Sequence, residues 1–258
     1  MEFPIWYQVL VGFFLFTFGT CVYSFLNVVI CRLPQKMDIV KMRSHCFGCQ
    51  RVLKPLELIP VWSYLFQGGR CKGCGAKIGM RDMLMEVFGG LSALFCAWYY
   101  QDSIPKALTA FAFIGILSVV AWIDQDTMEI LPSTLFVMLG IGVISVFTMP
   151  EIGILSRVIG AFCVSVPLLL ICMFIDGAFG GGDIKLMFVV GIVLGWKLTV
   201  VTVLIGFITG GVAAVILLSS KKKGRKDHFP FGPYLCVGAA VALFYGEALI
   251  QWYLNLAM

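Results

Sequence analysis

Nothing constrains this chain of 258 residues more than its apolar runs of about 17 to 25 residues. A helix of that length, at about 1.5 Å per residue, crosses about 30 Å of hydrocarbon. Apolar residues make up 60% of the sequence and charged residues 13%, about half the share found in a soluble domain. Strands of a membrane barrel would alternate apolar and polar side chains, and no such alternation is present. The expected class is an all-α polytopic membrane protein. The first run, about 6–31, is longer than the apolar core of a secretory signal. Only Glu2 is charged before it, so it is read as a retained span.

Charge distribution sets the topology. Residues 32–82 carry ten Lys or Arg against three Asp or Glu, and a second basic block occupies 221–226, within a net charge of +5. The excess of positive charge on cytoplasmic loops places both segments inside. With the N-terminus outside, spans are expected over about 6–31, 84–100, 106–123, 132–149, 154–175 and 234–256. The apolar stretch 184–220, too long for one crossing, is expected to split at Gly195-Trp196-Lys197, leaving a short first leg. Eight crossings put both basic segments on one side, whereas seven would not. The expected organisation is span 1 at 1–31, a water-exposed insertion at 32–82 and a membrane core at 83–258.

This topology brings Asp124, at the end of the third span, to the same face as Asp183, which opens the sixth. Two carboxylates within hydrogen-bonding reach cannot both ionise comfortably, so they share a proton. One can then act as general base on a water while its protonated partner polarises a carbonyl. Gly180, Gly181 and Gly182 remove Cβ atoms beside Asp183 and would let an extended substrate backbone approach. Each acid also has an ordinary reading: Asp183 as a helix N-cap, Asp124 as a water-facing acid like Asp126 and Glu129. Spacing does not separate Asp124 from Asp126. Both histidines, His45 and His228, lie in basic loops.

Ten cysteines are present, six of them in apolar runs where they read as small packing residues. The other four form Cys46-x-x-Cys49 and Cys71-x-x-Cys74, with 21 residues between the pairs. That spacing matches a four-thiolate structural zinc site. Gly48 and Gly73 suit the tight turn of each knuckle. A cytoplasmic insertion of this size builds little core, so metal would supply its folding energy. Four thiolates leave no open coordination position, so such a zinc is structural rather than catalytic.

Ordered motifs add a resemblance. Gly19 to Pro34 reads GTCVYSFLNVVICRLP. Arg43-Ser44-His45-Cys46 opens the cysteine segment, which holds Ser63-Tyr64-Leu65 and Gly69-Arg70-Cys71. Glu86 opens the second span. Ile123-Asp124-x-Asp126 is followed by Leu131-Pro132, then by Gly180-Gly181-Gly182-Asp183-x-Lys185-Leu186 and by Pro230-Phe231-Gly232-Pro233-Tyr234-Leu235. Together these resemble the bacterial type IV prepilin peptidases, also called leader peptidase/N-methyltransferases, a GxGD-type family of aspartic membrane proteases. The likeness runs over nearly the whole chain. It departs at Ser133, at Glu57-Leu58-Ile59-Pro60 and at Met83.

The resemblance implies catalytic acids at Asp124 and Asp183, selecting Asp124 over Asp126. It implies cleavage of basic leaders from prepilins and pseudopilins, after a glycine, at the cytoplasmic side of the bacterial inner membrane. It also implies methylation of the new N-terminus with S-adenosylmethionine, a step associated with the cysteine-bearing domain. Gly69, Glu86 and Asn27 are the candidates for that step, although a turn, a helix-end acid and an interhelical hydrogen bond describe them equally. Asp126, Glu129 and Asp176 are candidates to meet a basic leader, and the block 221–226 to meet anionic lipid. No nucleic-acid partner is expected. A peptidase without methyltransferase activity and a non-enzymatic zinc-ribbon assembly protein are the alternatives.

Overall fold

The computed structural model describes residues 4–46, 48–175, 180–219 and 229–257; the basic block 221–226, His228 and Asp176 lie outside them. Its helices are α1 (Ile5–Arg32), α2 (Trp62–Phe66), α3 (Met80–Tyr99), α4 (Ile104–Thr127), α5 (Pro132–Thr148), α6 (Ile154–Cys163), α7 (Ser165–Phe174), α8 (Gly181–Ser219) and α9 (Gly232–Ala257). Among the described residues β pairing is confined to two isolated bridges, His45 with Val52 and Arg70 with Lys77. Ile5–Arg32, Ile104–Thr127, Ile154–Phe174, Gly181–Leu217 and Gly232–Leu256 are each long and apolar enough to cross a bilayer, and α5 is a shorter apolar helix. Large apolar side chains such as Phe13, Phe14, Phe136, Phe147 and Leu155 are exposed, as a lipid-facing surface requires.

The chain divides into two compact units, Met1–Asp102 and Ser103–Met258. In the first, α1 and α3 run antiparallel: Gly19 abuts Gly89, and further along α1 Asn27 donates to the Asp82 carbonyl near the start of α3. A Cβ on Gly89 would overlap the Tyr23 ring, and one on Gly90 the Phe16 ring. Lipid is as apolar as a leucine side chain and gives two helices no hydrophobic reason to pair. Close approach through small residues supplies dispersion instead. The segment after α1 is held by Arg32, whose Nη1 donates to the carbonyls of Asp38, Ile39 and Met42.

In the second unit, α8 has 39 residues but is not one rod. Gly195 has φ 74° and ψ 171°, a conformation essentially restricted to glycine, and a Cβ there would meet Ser156 Oγ. Gly182, before this point, packs on Ile130. Gly210, after it, packs on Phe231, next to Gly232, whose amide bonds Asp124. Both ends of α8 therefore lie at one end of the unit, and the helix folds back at Gly195 into legs of 181–194 and 196–219. The split expected at this glycine is present, with the short first leg. Counting α6 with α7 as one interrupted element and α8 as two legs, the described residues hold eight helical segments besides the short α2: α1, α3, α4, α5, α6 with α7, the two legs of α8, and α9.

Three boundaries differ from expectation. The span expected over 154–175 breaks at Val164, because Pro167 offers no N–H and its ring excludes the Cys163 carbonyl from a continuous helix. α3 starts at Met80 rather than near 84, which places Asp82 and Glu86 one turn apart on one helix. α4 runs on to Thr127, so Asp124 stands inside its last turn rather than beyond its end.

Where α8 folds back, a buried arginine fixes the geometry. Arg157 of α6 is 3% exposed. Its Nη1 donates to Ser145 Oγ at 2.6 Å and to the carbonyls of Ile192 and Val193 at 2.8 and 3.0 Å. Its Nη2 reaches the carbonyls of Ser145 and Met149, and its Nε that of Ile152. The last carbonyls of a helix have no partner within it. One guanidinium thus serves the ends of α5 and of the first leg of α8, where a positive charge also suits both helix dipoles.

Candidate active site and metal centre

Three helix ends meet around the two aspartates. Asp124 comes from the last turn of α4, Asp183 from the first turn of α8, and Gly232 from the start of α9. Both carboxylates are buried, at 5% and 7% exposure, and they interact electrostatically with each other. The amide of Gly232 donates to Asp124 Oδ2 at 3.0 Å, and that of Gly180 to Asp183 Oδ2 at 3.2 Å. Among the described residues no donor occupies the Oδ1 of either, and no lysine or arginine forms a salt bridge with them. Buried Cys236 of α9 lies beside both acids.

Asp126 and Glu129 are exposed, so the structure separates Asp124 from Asp126 where spacing did not. The signal was present as Phe113, Leu117, Val120 and Asp124 at helical spacing, all buried on one face of α4. It becomes readable only once α4 is known to continue past residue 123. Lys185 is exposed and forms no salt bridge among the described residues. The three glycines differ in what they do. Gly180 bonds Asp183, Gly182 packs so closely on Ile130 that a Cβ would come within 2.9 Å, and only Gly181 has open space beside it.

Gly232 was not singled out as a site residue from the sequence. A Cβ there would lie 2.7 Å from Asp124 Oδ2, inside van der Waals contact. The amide that holds Asp124 can therefore approach only from a glycine.

In the first unit, the sulfurs of Cys46, Cys49, Cys71 and Cys74 all lie within 4.8 Å of one another, with Cys46 and Cys74 3.8 Å apart. A tetrahedral ion with metal–sulfur bonds of about 2.3 Å needs sulfur–sulfur edges of about 3.8 Å. The four residues fit a metal ion. The knuckles are alike: Cys46 N donates to the Arg51 carbonyl and Gln50 N to the Cys46 carbonyl, as Cys71 N does to Ala76 and Gly75 N to Cys71. The turns are made by Gln50 at φ 56° and Gly75 at φ 71°, not by Gly48 and Gly73 as expected. Gly48 instead permits contact with Ala76 and Cys74, and Gly73 permits Arg51 to pass.

Arg51 clasps Glu57 through two bonds of 3.2 and 2.9 Å and places Nη2 3.7 Å from Cys71 Sγ. Amides of Gly73 and Cys74, followed by Arg51, lower the Cys71 thiol to about 6. That favours the thiolate a metal needs. Of the candidates for methyl transfer, Glu86 Oε2 accepts from the Val61 amide at 2.7 Å and Asn27 bonds Asp82, so both face the same region between α1 and α3. Gly69 sits elsewhere, in a positive-φ turn against the Tyr64 ring.

Residues 17–100 match the bacterial peptidase A24 N-terminal domain, and residues 111–215 match the type IV leader peptidase family. The chain is 32% identical over 245 residues to a Bacillus subtilis (strain 168) protein named prepilin leader peptidase/N-methyltransferase, covering 95% of this chain and 98% of that one. A relative of the same name from Legionella pneumophila is 30% identical over 288 residues, 99% of this chain and 97% of that one. Another, from Pseudomonas aeruginosa, is 30% identical over 268 residues, 93% and 92% of the two chains. No solved structure matches the chain.

Proposed function

The chain belongs to the type IV leader peptidase family, and on that premise we propose that Asp124 and Asp183 are the catalytic pair of a prepilin peptidase. Its substrates are type IV prepilins and pseudopilins, cut after a glycine to remove the basic leader. The observation that carries this reading is the convergence of two buried carboxylates, near enough for the charge of one to act on the other, each held through one oxygen by a backbone amide. The bonded oxygens fix the orientation of both groups, and the remaining oxygens are left for water and substrate. One proton shared across the pair lets one acid take a proton from water while the other donates a hydrogen bond to the scissile carbonyl. Gly181 offers the open approach for the substrate backbone, and exposed Asp126 and Glu129 carry the charge to meet a basic leader.

We place the protein in the bacterial inner membrane with this pair facing the cytoplasm, a reading supported by the basic segments 32–82 and 221–226. The metal at the cysteine cluster is zinc, which fits four thiolates without an open position and has a structural role. S-adenosylmethionine is the methyl donor for the second activity.

The test is processing of a prepilin by the purified, zinc-loaded chain in detergent, followed by mass spectrometry of the mature N-terminus. Cleavage after glycine is expected, with a product heavier by one methyl group when S-adenosylmethionine is present. No cleavage would sink the peptidase; cleavage with an unmethylated product would remove only the methyltransferase.

Gly232→Ala is expected to slow cleavage by about 10- to 100-fold, because the new Cβ displaces the Asp124 carboxylate from its bonded position. The thermal midpoint of that variant should stay close to wild type, and unchanged cleavage would show that the amide of Gly232 does not set the geometry.

For the metal, elemental analysis should find one zinc per chain and none after Cys49→Ser. The Cys71 thiolate is depressed from an ordinary value of 9.0, so its contribution is complete above that value and lost as pH falls through about 6. Bound zinc competes with protons and extends that range downward. Zinc release on acidification is therefore expected, as protons compete with the metal for the thiolates, and is read with a chromogenic chelator; a zinc content that does not respond to acid would contradict thiolate ligation.

A further inference from the structure

A cavity of about 380 Å³ lies within the first unit, between α1, α3 and the cysteine-bearing segment, and its wall has a distinctive charge pattern. Asp82 and Glu86 line it from α3, one turn apart. Ser24 and Asn27 face them from α1, and Leu58 of the insertion contributes apolar wall. Arg32 lines it too, committing Nη1 to the three carbonyls that hold its loop. The volume falls within the range of small-molecule sites.

Neither Asp82 nor Glu86 makes a salt bridge among the described residues. Two carboxylates one turn apart and one guanidinium lining the same cavity favour a ligand with more than one positive centre and one carboxylate. The methionyl part of S-adenosylmethionine has that pattern: a sulfonium, an ammonium and a carboxylate. The demethylated product, S-adenosylhomocysteine, has lost the sulfonium charge.

We infer that this cavity is the methyl-donor site, with Asp82 and Glu86 facing the sulfonium and ammonium and Arg32 the carboxylate. The inference rests on the methyltransferase reading. Glu86 also accepts the Val61 amide, and Val61 has φ 60°, costly for a β-branched residue. The same acid therefore ties the insertion to α3, which gives the cysteine segment a way to shape the pocket.

The test is equilibrium binding of radiolabelled S-adenosylmethionine and S-adenosylhomocysteine to the zinc-loaded full chain in detergent. Wild type should prefer the sulfonium by at least about fivefold, the scale of one partly solvated charge pair. Asp82→Asn and Glu86→Gln should each weaken S-adenosylmethionine by about that factor and bring the two affinities together. Homocysteine-form binding should change less, an outcome a collapsed pocket would not give. Val28→Trp, which fills the cavity from α1, should remove both ligands while zinc content stays at the wild-type level. Glu247→Gln, an exposed acid on α9, should change neither affinity. Unchanged affinities in all three pocket variants would overturn the cavity and leave the methyltransferase reading standing. If the zinc-loaded wild type binds no S-adenosylmethionine, both fail together.

Discussion

Prepilin cleavage is expected to fall by about 10³- to 10⁴-fold when either Asp124 or Asp183 is replaced by asparagine. Asparagine keeps the shape of the side chain, and its oxygen can still accept the amide of Gly232 or Gly180. What it loses is the exchangeable proton and the negative charge, so the loss would report on chemistry rather than folding. In the proposed mechanism the two acids act on one water and one carbonyl. The double variant should accordingly be little worse than either single one. Asp126→Asn, on the exposed side of the same helix, should cleave with a catalytic constant near wild type. The measurement is single-turnover cleavage of a prepilin in detergent, with a thermal midpoint recorded for every variant. Near-full activity in Asp124→Asn or Asp183→Asn would remove the pair from the mechanism.

Replacing Arg157 by leucine should have the largest effect on stability, about 3 to 5 kcal/mol. The guanidinium satisfies the carbonyls of Ser145, Met149, Ile152, Ile192 and Val193 together with Ser145 Oγ, all at the turn where α8 reverses. Leucine fills the volume but removes all of the guanidinium donors; the Ser145 and Met149 carbonyls keep the amides of Met149 and Ile152, while the bonds from Arg157 to Ile152, Ile192 and Val193 are lost. In a membrane water is not at hand to replace them. Lysine should recover only part of the loss, because a single ammonium cannot span the ends of two helices as a planar fork does. Thermal denaturation in detergent, together with the amount of protein recovered from membranes, reads the effect. A leucine variant with the wild-type midpoint would show that these bonds are replaceable.

The two effects have different legibility in the sequence. Asp124 and Asp183 stand out because a carboxylate bordering an apolar run is costly and needs a reason. Arg157 looks like a lone basic residue near a short loop and attracts no notice. Its role depends on carbonyls from α5 and α8, contributed by residues whose side chains say nothing about them. Gly232 is similar. Its value lies in the Cβ it lacks, which matters only because Asp124 stands opposite. The knuckle turns show the same limit: the paired CxxC spacing identified the four-cysteine cluster, yet the positive-φ positions fell on Gln50 and Gly75 rather than on the glycines inside each pair. Pro167 was a signal that the expectation of one unbroken span over 154–175 passed over, and the helix breaks beside it.

The sequence alone determined the membrane class, the fold-back near Gly195, the cysteine quartet and a shared face for Asp183 with either Asp124 or Asp126. These rest on length, charge and spacing, which are properties of the chain taken one segment at a time. Tertiary structure decided which face of α4 is buried, which amides hold the acids and what satisfies the broken helix ends. It also decided that Asp82, Glu86 and Arg32 share one cavity. Those facts depend on backbone atoms and on residues distant in sequence, and packing alone brings them within reach of one another.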